Sequence, residues 1–175
     1  QARVYRPHSY LLTYDKEHML PPFESKLKPG TSLAMTQTGS ATWGVAICKD
    51  MDFTSLSRQY GKGGAGLMLV PGWDFNIDRS WHGHMAIMRA VESGFGMVRA
   101  AKNGYLTVVD NRGRVLAEAR SDSAPFATLV ADVPDVHDTT IYLLLGDWFA
   151  WVSMAIFGFV AAQFFRLRKT ESQAV

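Results

Sequence analysis

Two side chains, Cys48 and Lys16, are of types that together can attack a carbonyl carbon and hold the oxyanion that results. Cys48 is the one cysteine of the 175 residues. It follows Trp43-Gly44-Val45-Ala46-Ile47, a short apolar run that predicts a buried strand. A thiol at a strand's exit is held rigidly by the sheet while its sulfur points into a cleft. A thiolate is also the side-chain nucleophile that needs least activation. The plain alternative is a small buried residue closing a strand, a common place for cysteine. Lys16 stands in Tyr14-Asp15-Lys16-Glu17-His18-Met19-Leu20-Pro21, after the apolar run Tyr10-Leu11-Leu12 and before a proline-rich turn. An ammonium there can stabilise a thiolate or a tetrahedral oxyanion; its ordinary fate is a solvated loop.

The elements that must position these groups alternate between helix and strand. Residues 67–70 predict a second buried strand, ended by Pro71-Gly72. Its exit should face the same cleft as Cys48, which makes Trp73 and Asp74 candidate wall residues, with plain packing as the other reading. Asp78 can cap a helix over about residues 79–93, with Trp81, Met85 and Met88 on one face and Gly94 as its stop. Residues 97–101, 105–109, 114–119 and 127–132 then predict strands with turns between them. His82 and His84 read as structural histidines, and Gly61-Lys62-Gly63-Gly64-Ala65-Gly66 as a flexible turn without the Lys-Ser/Thr ending of a phosphate loop. The order suits a layered α/β sandwich.

Gly44-Val45-Ala46-Ile47-Cys48-Lys49-Asp50 and the Lys16 segment resemble the cysteine and lysine motifs of the nitrilase, or carbon–nitrogen hydrolase, superfamily. His84-Met85, Met88-Arg89-Ala90-Val91-Glu92, residues 98–104 and Asp110-Asn111-Arg112-Gly113 are similar to its downstream segments in the same order. Thr140-x-Tyr142-x-x-x-Gly146-Asp147-Trp148 before an apolar stretch resembles the membrane branch, the apolipoprotein N-acyltransferases. The resemblance implies an α/β/β/α sandwich followed by one transmembrane helix. It also implies a Glu–Lys–Cys triad, with Cys48 as nucleophile and Lys16 as oxyanion stabiliser. The general-base glutamate of that pattern lies well upstream of the lysine, and Glu17 is too close in sequence to be it. Residues 1–138 are therefore expected to be the C-terminal part of such a domain, inactive by itself. Pro21-Pro22-Phe23-Glu24 stands where the acyltransferases carry Pro-Phe-Gly-Glu, so Glu24 matches their second glutamate and the glycine is lost. Lys49 departs from an aromatic residue, and Asp50 fits the acidic position after it. The implied partners are a phospholipid acyl donor and a lipoprotein acceptor. A membrane-anchored amidase or nitrilase, and a non-catalytic binding module, remain open beside acyl transfer.

Composition narrows the field further. A net charge of +2 gives no reason to expect a nucleic-acid partner, and 47% hydrophobic residues suffice for a sizeable core. The sequence has no Cys/His spacing for zinc, and neither a metal nor a cofactor is expected. Residues 148–165 carry no charge, and eighteen helical residues reach about 27 Å, close to a bilayer's hydrocarbon thickness. Trp148 and Trp151 stand at one end of this run and Arg166, Arg168 and Lys169 at the other. The span with its lead-in is set at residues 139–166, with 142–145 able to extend the helix, and residues 167–175 form a basic-then-polar tail. The basic end predicts a cytoplasmic C-terminus and an extracytoplasmic catalytic part at a bacterial inner membrane.

Overall fold

The computed structural model describes residues 1–75 and 80–172, with side chains through residue 166. Its first unit runs from Gln1 to Leu143. Strands β1 (Ala2–Arg6) and β2 (Ser9–Tyr14) form an antiparallel hairpin. Six further strands make one mixed sheet in sequence order: β3 (Ala34–Thr38), β4 (Ala41–Val45), β5 (Leu67–Trp73), β6 (Gly96–Lys102), β7 (Tyr105–Val109) and β8 (Val115–Arg120). The pairs β4–β5 and β5–β6 are parallel, and the rest are antiparallel. Each parallel pair needs a crossover. Helix α1 (Thr54–Lys62) lies between β4 and β5, and α2 (Trp81–Ser93) between β5 and β6.

Strand β5 is central, and its Leu67, Met68 and Val70 are all buried, as expected where both faces of a parallel strand are covered. On one face Met68, Val70, Met97 and Val109 pack with Leu56, Tyr60, Ala86, Ala90 and Phe95 from the helices and their ends. On the other, Val45 and Ala34 pack with Tyr14, and Val4, Leu12 and Leu69 close around them. The layers are thus helices, large sheet and small sheet, the α/β/β part of the expected sandwich. Each large side chain buried this way contributes about 1.5–3 kcal/mol.

Two expectations for the first unit need correction. Strand β5 does not end at Pro71 but continues through it to Trp73. Asp74 donates its N–H to Lys102 on the β6 side, so by alternation the Pro71 nitrogen faces the side on which β4 has already ended, and no ladder bond is lost. Residues 127–132 form no strand. They belong to a strap without regular structure, residues 127–140, whose Asp135 accepts from the Trp43 indole N–H and whose Asp138 accepts from Asn111. This strap passes so close to Gly66 and Gly96, where β5 and β6 begin, that a side chain at either would meet its backbone. As expected, Trp81, Met85 and Met88 share one face of α2; it is the exposed one, and the small residues Gly83, Ala86, Ala90 and Ser93 are buried. Small side chains let the helix approach the sheet closely. The helix stops at Gly94 in the left-handed region, φ 74°, as the sequence predicted. Asp78, its expected cap, lies outside the described residues.

The second unit covers residues 144–175. Helix α3 (Ile141–Leu145) runs across its start, and Gly146 breaks the chain at φ 62° before α4 (Trp148–Ser172). Residues 142–145 therefore do not extend the long helix. Residues Trp148–Arg166 form one helix long and apolar enough to cross a membrane, and none of that stretch is buried against protein.

Candidate active site

Strand β4 ends at Val45, and Ala46 still donates to Leu69 before the chain leaves the sheet. Cys48 then opens a 3-10 turn (Cys48–Asp52) with φ 51°. Non-glycine residues rarely occupy that region, and such strain persists only where the surroundings over-determine it. Asp50 does much of the determining. Its fully buried carboxylate accepts from Tyr14 Oη (2.8 Å), the backbone N–H of Ile47 (3.0 Å) and that of His18 (2.8 Å), with His18 Nδ1 at 3.1 Å. One side chain thereby ties the Cys48 turn to the end of β2 and the lysine loop. Burial first, and then the Asp50 carboxylate, raise the Tyr14 pKa, so its hydroxyl stays a donor.

Lys16 sits two residues beyond β2 and is 6% exposed. Its ammonium contacts Glu24 Oε2 at 2.5 Å, and the same oxygen accepts from the Leu20 N–H at 2.7 Å. Desolvation raises the Glu24 pKa, but the hydrogen bonds from Lys16 and Leu20 outweigh it and hold the carboxyl below its usual range. Glu24 is therefore an anion that anchors the lysine. Glu17 moves the other way, raised by burial and by Asp50.

Lys16, Glu24 and Cys48 meet at a cavity of about 610 Å³. Leu20, Phe23, Ile47, Pro71, Gly72, Trp73 and Phe75 line it with them, together with Gln1 and Ala2. Cys48 Sγ lies 3.6 Å from the Trp73 carbonyl oxygen, within reach of donating its S–H there. Trp73 stacks with Phe75 at 6.1 Å, and Lys102 Nζ stands 4.9 Å from the Trp73 ring centre. A thiol and an ammonium in one mostly apolar pocket suit acyl chemistry on a substrate with a hydrocarbon part.

Of the residues expected at the site, Cys48, Lys16, Glu24 and Trp73 share the cavity wall. Lys49, Asp50 and Asp74 do not line it. Asp50 shapes the turn from below, while Asp74 is fully buried in a two-point ion pair with Arg99, at 2.5 and 2.9 Å. Sequence reasoning missed Arg99, Tyr14 and the aromatic pair Phe23 and Phe75. The arginine left a signal, since a charge inside the apolar run of β6 requires a buried partner. The aromatics left none, because their loops have no periodicity to read.

A thiol just past the end of β4, at a left-handed backbone position, thus shares one cavity wall with a buried lysine in an α/β/β sandwich. The chain belongs to the carbon–nitrogen hydrolase family, whose model matches residues 5–139. It is 30% identical to the apolipoprotein N-acyltransferase of Geobacter metallireducens over 91% of this chain and 34% of that protein. It thus spans about a third of that relative's length. The fold resembles an amidase from Nesterenkonia sp., TM-score 0.67 and 26% identity, covering 78% of this chain and 53% of that one. A mutant of the Nesterenkonia sp. AN1 amidase, in which the acetamide moiety of fluoroacetamide is covalently added at the active-site cysteine, matches with TM-score 0.59 and 26% identity over 63% of this chain and 47% of that one.

Proposed function

We propose that this chain is the nucleophile-bearing part of a membrane N-acyltransferase of the carbon–nitrogen hydrolase type. The observation that carries the reading is the apolar cavity with Cys48 and Lys16 on its wall, in a chain that also holds one helix able to span a bilayer. Cys48 attacks the ester carbonyl of a phospholipid. The carbonyl π bond opens, the oxyanion rests on the Lys16 ammonium, and the glycerol alkoxide leaves with a proton, giving a thioester. The α-amino group of a lipoprotein's N-terminal cysteine then attacks the thioester, forming the amide and returning the thiol. The thiol proton passes to a glutamate base, which the family resemblance places upstream of Lys16. Glu24 acts by fixing Lys16. In this reading the reaction runs at a bacterial inner membrane with Cys48 on the extracytoplasmic side, which the long apolar helix and its basic end support.

The test is acyl transfer by the complete protein from labelled phospholipid to a lipoprotein peptide. Cys48→Ala is expected to abolish both the thioester and transfer while the fold is retained, and Cys48→Ser to leave little activity, since a hydroxyl ionises far less readily. Full activity in Cys48→Ala would sink the covalent mechanism. A second reading, hydrolysis of a small amide through the same thioester, is favoured by the likeness to the amidases. Release of free acid without any transfer to an amine would select it.

A further inference from the structure

The ion pair behind the nucleophile has no part in the chemistry above, yet it is the most deeply buried charge arrangement near it. Arg99 is 2% exposed and Asp74 is fully buried. Arg99 rises from the middle of β6, where it pairs with Val70 of β5; Asp74 follows the last residue of β5. Three glycines make room. A side chain at Gly104 would strike the Asp74 carboxylate, and one at Gly83 of α2 would stand 4.0 Å from Arg99 Nη1. Gly72 is the third, and it forms part of the cavity wall. The nearest atoms to the place its side chain would occupy are Arg99 Nη2 at 3.5 Å and Cys48 Cα and Cβ at 3.6 and 3.7 Å. Guanidinium and nucleophile therefore face each other across one bare glycine, at most roughly 7 Å from Nη2 to Cβ, a range over which charge still acts strongly in a half-buried site.

Building on the nucleophile assignment above, we propose that Arg99 is a positioning residue for Cys48: paired with Asp74 it locks the end of β5 against the nucleophile's turn, and through the Gly72 gap its positive charge supports the sulfur as an anion. Two effects meet at this point. The Asp74 pairing fixes Gly72 and Trp73, and the Trp73 carbonyl is what the resting thiol faces at 3.6 Å. When the S–H proton leaves, that carbonyl repels the new charge, and the guanidinium behind Gly72 opposes the repulsion. The charged groups around the sulfur are thus Lys16 with its partner Glu24 on the cavity wall, and Arg99 with its partner Asp74 behind Gly72.

Alkylation of the 175-residue chain by iodoacetamide reads the thiol without any acyl substrate, and the label can fall on Cys48 alone because it is the single cysteine. The quantity measured is the pH at which the alkylation rate reaches half its maximum. Asp74→Asn leaves the guanidinium uncompensated and should move that midpoint down by about one pH unit; Arg99→Gln should move it up by a similar amount. A pair that only braces the fold cannot produce opposite signs. The double variant Asp74→Asn/Arg99→Gln leaves no unpaired buried charge, so it keeps its fold even where a single variant does not. It should shift the midpoint up by less than Arg99→Gln alone. Equal midpoints throughout, or shifts of one sign in both single variants, would overturn the proposal. Opposite shifts here, beside a complete protein that transfers no acyl group, would keep it and reject acyl transfer instead.

Discussion

Lys16 and Glu24 give the residue scale its sharpest expectations. With its ammonium on the forming oxyanion, Lys16→Ala should slow acyl-enzyme formation about 10²–10³-fold in single-turnover measurements. Lys16→Arg should rescue little, since a planar fork does not fit an ammonium's compact site beside Glu24. A normal single-turnover rate would return Lys16 to an ordinary structural lysine. Glu24 adds a pH dependence of definite sign. Its folded-state pKa is depressed, so its contribution is fully present above the unfolded carboxyl value, about 4.3, and fades as pH falls through the lower folded value. Thermal melts of Glu24→Gln should lie below the parent's at pH 6–7, by the equivalent of about 1–3 kcal/mol for a lost charged hydrogen bond. The two melts should converge in acid, and a difference that persists there would contradict the assignment. Cys48 and Lys16 were legible in the sequence by type and by flanking strands. The distinct duties of Asp50 and Asp74 were not, because chain neighbours cannot tell whether a carboxylate turns toward a cavity or away from it.

At the scale of elements, the parallel core was readable from its apolar runs and the stop of α2 from its glycine. Residues 127–132 of the strap were misread because their alternation of half-buried and exposed positions imitates a strand. Periodicity reports which side of a segment is covered, not whether a neighbour offers hydrogen bonds to it. The face of α2 was a different matter. Large apolar residues at helical spacing point outward here, since the sheet takes the small ones. Gly94 joins the two features. A side chain there would collide with the Asp138 carbonyl of the strap, at a backbone φ of +74° that L-residues rarely adopt. Gly94→Ala should therefore cost about 1–3 kcal/mol and lower the melting temperature by several degrees. It should leave iodoacetamide labelling of Cys48 in the still-folded protein unchanged, because the clash lies where β6 begins rather than where β5 ends. An unchanged melting temperature would mean the strap is not held there.

For the whole molecule, the proposed topology rests on the uncharged run of α4 and its basic end. Residues 148–165 should resist carbonate extraction, and a reporter fused after Val175 should be active in the cytoplasm, with Arg166, Arg168 and Lys169 retained there. Release by carbonate would point to a soluble carbon–nitrogen hydrolase, and a reporter active only outside the cytoplasm would turn Cys48 away from exported lipoproteins. The composition of this helix was legible without any structure; its separation from α3 at Gly146 was not, since the apolar residues run on through both. The strap also determines how a pull would travel. The chain leaves the catalytic unit along the edge where β5 and β6 begin, while Cys48 and Trp73 sit where β4 and β5 finish. Tension drawn on the chain beyond Leu143 would fall first on a row of tethers: Arg58 to the Leu143 carbonyl, Thr140 to the Glu92 carbonyl, Asn111 to Asp138, and Trp43 to Asp135. None of these touches the nucleophile's turn. The strap is thus tied to the sheet at the end away from Cys48, so a pull on it would be taken up by these tethers before it reached the Cys48 turn.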